Sequence, residues 1–174
     1  MEKTVTKEIK YIVLGAFVFL LFLAGSVLLV SSESKTKGSN VSTPETLGLE
    51  ISPNNVDLGE VPINGGIISR DYEIKNTSGS KLTLSRVSTS CMCTTAMITL
   101  GDKSSKFFGM EGHGDRNPPV NLEIGAGEVA KVTVNFDPAA HGPEGVGPFE
   151  RLVWLSFSNP NGEKEISFFG KVVN

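Results

Sequence analysis

Several residue types that mark particular protein classes are scarce in this sequence of 174 residues. It contains only 2 cysteines, which excludes a scaffold held together by many disulfides. Its net charge of -3 provides no basic surface of the kind that nucleic acids require, so we expect no nucleic-acid partner. The proportions of 39% hydrophobic and 20% charged residues are those of a globular protein and exclude a largely disordered chain.

The sequence also lacks the motifs of the common catalytic classes. We find no nucleophile elbow of the form Gly-x-Ser-x-Gly, no Ser-His-Asp order and no glycine motif that would cradle a phosphate. Paired carboxylates in an acid-base setting are absent as well. We therefore expect that this protein is not an enzyme.

Charge is missing altogether from residues 11–30, a run of apolar and small side chains. A helix of this length rises about 1.5 Å per residue and spans a hydrocarbon core of roughly 30 Å. The lysines in residues 1–10 predict a cytoplasmic N-terminus and a single-pass membrane anchor. The alternative is a signal peptide cut near residues 24–26, which would secrete the domain. Both interpretations place the rest of the chain outside the cytoplasm.

Two further regions follow this apolar run. Residues 31–47 are rich in Ser, Thr and Lys and predict a flexible linker. Residues 48–174 predict an all-β domain, because apolar residues alternate with polar ones between turn residues and show no helical spacing. The clearest strand covers residues 130–136. The frequent turns favour a two-sheet sandwich over a barrel.

Turn residues also predict details within the domain. The dipeptide Asn161-Gly162 between two apolar runs predicts a C-terminal hairpin. Two long glycine-rich stretches, residues 101–119 and 137–148, interrupt the strand pattern. Loops of this length in a compact domain often carry function.

Five segments occur in an order that resembles a known bacterial family. They are Val56–Val61, Ile74–Gly79 with Leu82–Leu84, Ser90–Thr94, Ile124–Glu128 with Val132–Pro138, and Gly170–Val172. Their arrangement over residues 50–174 resembles the family called domain of unknown function 1573, a relative of the immunoglobulin-like Hydin-type domains. Its most specific part is the Cys-x-Cys-Thr element.

This resemblance implies an immunoglobulin-like β-sandwich of about seven to eight strands on the outer side of a membrane. The family has no agreed biochemical activity, so the resemblance implies a fold and not a function. The insertion at residues 102–119 departs from the family pattern, and any inference from the family is weakest there.

The two cysteines, Cys91 and Cys93, lie two positions apart, so in a strand both would point to the same face. In a fully extended segment their Cα atoms would be roughly 6.5 Å apart, at the upper limit of disulfide geometry. A disulfide would then require a bent backbone and would be easily reduced. A free pair, a labile disulfide and a pair of metal ligands all remain open.

Other soft donors are concentrated in the same part of the sequence. The candidate ligands beside the two cysteines are Met110, His113 and His141. Thiolate, thioether and imidazole together suit copper(I), and paired thiolates with imidazole also suit zinc. A metal site with copper(I) or zinc as the cofactor is therefore one of the alternatives that the sequence offers.

The long loops supply a second set of candidates, for contact with a partner. These are Phe107 and Phe108 in the insertion, and Glu144 and Arg151 near the second loop. The first hypothesis is a membrane-tethered, extracytoplasmic binding or structural module of the bacterial cell envelope, whose envelope protein partner is unknown. The alternative is a metal-binding or thiol-redox protein that uses the Cys-Met-Cys motif.

Overall fold

The structure, a computed structural model, describes residues 47–112 and 117–174. These residues form ten strands and one short 3-10 helix at Gly142–Gly145. The strands are β1 (Leu49–Ser52), β2 (Asn55–Pro62), β3 (Ile68–Asn76), β4 (Leu82–Thr89), β5 (Thr94–Leu100), β6 (Lys103–Ser104), β7 (Leu122–Ile124), β8 (Val129–Phe136), β9 (Gly147–Asn159) and β10 (Asn161–Val173).

Three predictions fall on other parts of the chain. The membrane anchor at residues 11–30, the linker up to residue 46 and the candidate ligand His113 lie outside the described residues. In the two described ranges, no helix has the length and apolarity that a membrane crossing needs.

The strands form two five-stranded sheets, which confirms the prediction of an all-β sandwich. Their number, ten, exceeds the seven to eight that the resemblance implied, because short strands such as β6 and β7 are added at the sheet edges. The first sheet has the order β1-β3-β8-β5-β6 and the second β2-β10-β9-β4-β7. In immunoglobulin lettering, β1, β3, β8 and β5 occupy the positions A, B, E and D, and β4, β9 and β10 occupy C, F and G. Strand β2 pairs in parallel with β10, and the other pairings are antiparallel. The topology is immunoglobulin-like.

Alternation along the strands decides which side chains form the core. In β8, the side chains of Ala130, Val132, Val134 and Phe136 are at most 3% exposed, whereas Val129 is 45% exposed. The same alternation buries Tyr72 and Ile74 of β3, which pairs with β8. Because successive side chains of a strand point to opposite faces, one face of each sheet packs against the other sheet.

The C-terminal hairpin is confirmed, but its turn differs from the prediction. Ser158 pairs with Asn161, so the turn consists of Asn159 and Pro160, and Gly162 already belongs to β10. Gly162 serves close packing instead, because a Cβ atom there would lie 2.8 Å from the Leu47 side chain. Leu47 itself is 3% exposed, so the domain core begins within the segment that the sequence assigned to the linker.

The described residues 101–112 of the first glycine-rich stretch fold back onto β5. Ser104 pairs with Thr99, and the backbone of Phe108 exchanges two hydrogen bonds with Ala96, of 2.7 and 2.8 Å. The Phe108 side chain is 2% exposed and belongs to the core. Beyond it, the side-chain amide of Asn117 bonds both backbone groups of Gly109, at 2.8 and 3.1 Å.

Asn76 is a buried polar residue that holds the turn after β3. Its side chain is 0% exposed and donates hydrogen bonds to the carbonyls of Ser80 and Ile124 at 2.8 and 2.9 Å. Its carbonyl oxygen accepts bonds from the backbone and hydroxyl of Ser78 at 2.9 and 2.6 Å. All of its hydrogen-bonding capacity is used, which explains why an asparagine occupies this turn.

We expect Asn76→Asp to lower the free energy of unfolding by about 3 kcal/mol or more, because a buried carboxylate would face two carbonyl oxygens. Urea denaturation followed by circular dichroism measures this change. Asn161→Asp, at an exposed position of β10, is the matched control and should stay within about 0.5 kcal/mol of the parent. Equal losses for both variants would contradict the anchoring role of Asn76.

Candidate functional site

Two connections that cross from one sheet to the other meet at one end of the sandwich. Residues 90–93 lead from β4 in the second sheet to β5 in the first, and residues 137–146 lead from β8 in the first sheet to β9 in the second. The first connection contains both cysteines and the second contains His141. The sandwich topology therefore brings together residues that are fifty positions apart in sequence.

The cysteine connection is a tight turn. The backbone N–H of Thr94 donates to the carbonyl of Cys91 at 3.1 Å, and the Cα atoms of Cys91 and Cys93 are 5.3 Å apart. This is the bent backbone that the sequence showed to be necessary for a disulfide, and the two cysteines are joined by one. The buried hydroxyl of Thr89 lies 3.1 Å from the carbonyl of Cys91 and 3.0 Å from that of Thr94, bracing the turn.

The second connection is attached directly to the first. The backbone N–H of Asp137 donates to the carbonyl of Cys93 at 2.9 Å. The Asp137 carboxylate then accepts a bond from the N–H of Ala139 at 2.9 Å and starts the turn that leads to the 3-10 helix. This path places the Nε2 atom of His141 at 3.0 Å from the Cys91 sulfur.

A guanidinium group lies on the other side of the pair. The Nε atom of Arg151, in β9, donates to the sulfur of Cys93 at 3.1 Å. The Arg151 side chain also bonds the carbonyl of Glu150 at 2.8 Å and lies over the ring of Phe149, 5.6 Å from its centre. Burial lowers the pKa of Arg151 from its usual range, although arginine keeps its positive charge near neutral pH.

Two hydrogen bonds of Ser90 hold strand β9 in a fixed position next to the cysteine turn. The backbone of Ser90 donates to the carbonyl of Leu152 at 3.0 Å, and its hydroxyl accepts from the N–H of Leu152 at 2.9 Å. Arg151 directly precedes Leu152 in β9, so this pair of bonds fixes the distance between Arg151 and Cys93.

The two sulfurs differ in their access to solvent. Cys93 is 3% exposed and belongs to the core, with the buried hydroxyl of Thr94 3.6 Å from its sulfur. Cys91 is half-buried, and His141 beside it is exposed. One ligand atom each from Cys91, Cys93 and His141 lie within 4.8 Å of one another. As a disulfide the pair can exchange with a thiol, and once reduced, its two thiols and the imidazole can bind a soft metal ion.

The other predicted site residues have separate locations. Met110 lines a surface groove with Ser90 and Trp154, near the cysteine turn. Phe107 is 43% exposed, but Phe108 is a core residue and is not available as part of a contact surface. Glu144 is exposed in the 3-10 helix.

Sequence reasoning missed the residues that hold the site in place. Thr89 and Asp137 have no distinctive spacing relative to the ligands, and their role depends on which connections meet. Arg151 was assigned to a binding loop, whereas the structure places it against a cysteine. The signal that could have suggested a structural role is the pair of threonines on either side of the Ser-Cys-Met-Cys segment.

The match to a protein family covers part of the domain. Residues 49–101 match the model of the family described as a protein of unknown function (DUF1573), and this range includes both cysteines. The resemblance inferred from the sequence extended to residue 174, beyond this match. No curated protein matches the chain.

Solved structures resemble the domain in fold. A protein of unknown function from Porphyromonas gingivalis W83 has a TM-score of 0.50 and 20% identity, over 71% of this chain and 46% of that one. The secreted serine protease VesC from Vibrio cholerae has a TM-score of 0.50 and 12% identity, over 76% of this chain and 25% of that one. The ASH / PapD-like domain of human CEP192 reaches a TM-score of 0.44 at 15% identity, over 74% of this chain and 87% of that one.

The chain thus spans less than half the length of the first two of these proteins. At such identities the likeness concerns the fold and carries no activity to this chain. Fold and sequence together define an immunoglobulin-like β-sandwich domain. Its residues 49–101 match a family of unknown function, and it has a cysteine pair at one end.

The unequal burial of the two sulfurs has a measurable consequence. After reduction of the folded chain, we expect iodoacetamide to modify Cys91 at least about tenfold faster than Cys93, because only Cys91 is accessible to the reagent. Peptide mass spectrometry of timed samples measures both rates. In urea the two rates should converge, and a faster reaction at Cys93 in the folded chain would contradict the geometry.

Proposed function

We propose that this chain is a membrane-tethered, extracytoplasmic immunoglobulin-like module of the bacterial cell envelope, and that it exchanges disulfides through Cys91 and Cys93. The observation that supports this proposal best is the placement of the cysteine pair. Cys91 is accessible beside His141, and Cys93 is buried beside the guanidinium of Arg151. The partner is an envelope protein with a reactive thiol, and the module is not an enzyme with a small-molecule substrate.

A purely structural use of this disulfide would contribute little stability. The stabilisation that a disulfide provides through the unfolded chain grows with the length of the loop it closes. The cysteines are separated by 2 positions, so this contribution is about 1–2 kcal/mol, compared with roughly 3 kcal/mol for a 15-residue loop. The hydrogen bonds of Thr89 and Asp137 hold the same turn without the disulfide.

The geometry suggests a direction for the exchange. A thiolate of the partner attacks the accessible Cys91 sulfur, the bond between the two sulfurs breaks, and Cys93 leaves as a thiolate. The nearby Arg151 stabilises this anion through a charge-assisted hydrogen bond. The result is a mixed disulfide between Cys91 and the partner.

A second partner thiol completes the reaction. It attacks the partner sulfur of the mixed disulfide and releases Cys91 beside His141. The module gains two electrons and two protons as its dithiol, and the partner's two thiols become a disulfide. The reverse sequence oxidises the module and reduces the partner.

The step that depends on Arg151 provides a test. We expect Arg151→Gln to slow the reduction of the disulfide by glutathione roughly threefold to tenfold, because the leaving thiolate loses a hydrogen bond to a charged group. Quenching with acid and counting thiols by mass spectrometry gives the rate for the purified full chain. Arg86→Gln is the matched control, because Arg86 is exposed and pairs with Glu111.

Two outcomes would contradict this proposal. One is a pair that stays oxidised for hours in millimolar glutathione, as a structural disulfide does. The other is an equal rate in Arg151→Gln and the parent, because the exchange would then not use the guanidinium.

The location of the module is tested separately. The support for a tether is the charge-free run of residues 11–30 after the lysines of residues 1–10. In a bacterial host we expect the full chain to stay in the membrane fraction after an alkaline carbonate wash, and protease added outside the cytoplasmic membrane to degrade the domain. Leu21→Arg should weaken membrane retention, because a central arginine costs about 2.5–3.5 kcal/mol on insertion.

A chain shortened at residues 24–26 and released from the membrane would identify the segment as a signal peptide. It would remove the tether from the proposal and leave the extracytoplasmic location. A domain protected from the protease until the cytoplasmic membrane is broken would contradict the location.

A further inference from the structure

We propose that the reduced form of the site binds one copper(I) ion through the sulfurs of Cys91 and Cys93 and the Nε2 atom of His141. This inference rests on the proposed function, since a disulfide offers no thiolate ligand and the pair must first be reduced. Binding displaces the two thiol protons: copper(I) and two thiols give a complex with two copper–sulfur bonds, and two protons go to solvent.

The separation of the donors suits a metal ion with three ligands. Metal–sulfur bonds are about 2.3 Å and metal–nitrogen bonds about 2.0 Å in known zinc sites. Three such ligands arranged in a plane around one ion are therefore roughly 4 Å apart. The three donor atoms of this site already lie within 4.8 Å of one another. Opening the disulfide lets the two sulfurs separate towards this spacing without a rearrangement of the sheets.

The backbone contacts that position the ligands do not depend on the disulfide. The carbonyls of Cys91 and Cys93 accept hydrogen bonds from the N–H groups of Thr94 and Asp137 at 3.1 and 2.9 Å. The hydroxyl of Thr89 adds a contact of 3.1 Å to the carbonyl of Cys91. Reduction leaves these bonds in place, so the ligands remain largely positioned before the metal arrives.

The number of ligands favours copper(I) over a structural zinc ion. Structural zinc sites are almost always four-coordinate, whereas the described residues supply a group of three from Cys, His, Asp and Glu, with no carboxylate. Thiolate and imidazole are soft or borderline donors, and soft thiolate sites select copper(I).

The local charge favours the same ion. Two thiolates and one copper(I) carry a net charge of −1, which the guanidinium of Arg151 beside Cys93 balances. A zinc ion in the same place would leave a net positive charge in a partly buried site, which is unfavourable. Arg151 therefore makes the site neutral with copper(I) and not with zinc.

The experiment uses the purified full chain, reduced and kept without oxygen. Copper(I) is titrated against a chromophoric chelator of known affinity, and zinc is titrated in the same way. We expect one copper(I) per chain and weaker binding of zinc. X-ray absorption at the copper edge should show a first shell of two sulfurs and one nitrogen.

Variants distinguish the ligands from their neighbours. Cys91→Ser and Cys93→Ser should each abolish the one-to-one complex. His141→Ala should lower the copper(I) affinity more than about tenfold and remove nitrogen from the first shell, since even the loss of a residue that supports a ligand costs tenfold to a hundredfold. Met92→Leu is the matched control: Met92 is 52% exposed between the two cysteines, and its loss should leave the affinity unchanged.

The result that would overturn this proposal is a reduced, folded chain that does not compete with the chelator, or one whose affinity is unchanged in His141→Ala. Preferred binding of zinc would also overturn it. Thiol counting before each titration separates this failure from a failure of the proposed function. If glutathione reduces the pair but the pair does not bind copper(I), disulfide exchange is still supported. If glutathione cannot reduce the pair, the exchange itself is contradicted.

Discussion

The hydrogen bond from the N–H of Asp137 to the carbonyl of Cys93 is the contact on which the site depends. An immunoglobulin-like sandwich must send its chain across from one sheet to the other, and here two such crossings lie side by side. The bond joins them at 2.9 Å, so the histidine of one crossing comes to the cysteine of the other. It continues the pairing of β5 with β8, in which Thr94 lies opposite Phe136, into the two crossings.

In the proposed exchange, the residues around the sulfurs give the two cysteines different roles. Cys91 is half-buried beside the exposed imidazole, and Cys93 lies in the core beside the guanidinium. Beneath Arg151, the rings of Phe136 and Phe149 are stacked with their centres 4.5 Å apart. This aromatic layer keeps water away from one side of the guanidinium, which strengthens its interaction with a sulfur anion. One cysteine therefore suits attack from outside, and the other suits leaving as an anion.

The fold was largely predictable because its strongest signals are local. Alternation along residues 130–136 identifies a strand whose inward side chains are buried, and apolar runs around residue 160 identify the hairpin. The position of its turn was wrong by two residues, because Gly162 is there to accommodate Leu47, a contact that no short-range pattern reveals. Phe108 was assigned to a contact surface for a similar reason: its loop pairs with β5, and only the pairing buries it.

The site was predictable in its donors but not in its arrangement. Two cysteines in a Cys-x-Cys spacing indicate a shared location, whereas the choice of His141 and the place of Arg151 depend on contacts between residues 50 and 58 positions apart. The bonds that hold both crossings are made by backbone groups, which every residue has. The sequence therefore contains no residue type that would have predicted them. The soft donors can therefore be identified from the sequence, whereas their geometry depends on how the two sheets are connected.

The Met92 side chain lies apart from the two sulfurs that react in the proposed exchange. The turn that brings the two sulfurs together also pushes the intervening side chain outwards, where it is 52% exposed. That side chain belongs to no part of the core, so it can change without disturbing the sandwich. If the proposed exchange is correct, this single position at the tip of the turn is free to vary with the partner, while the donors behind it stay as they are.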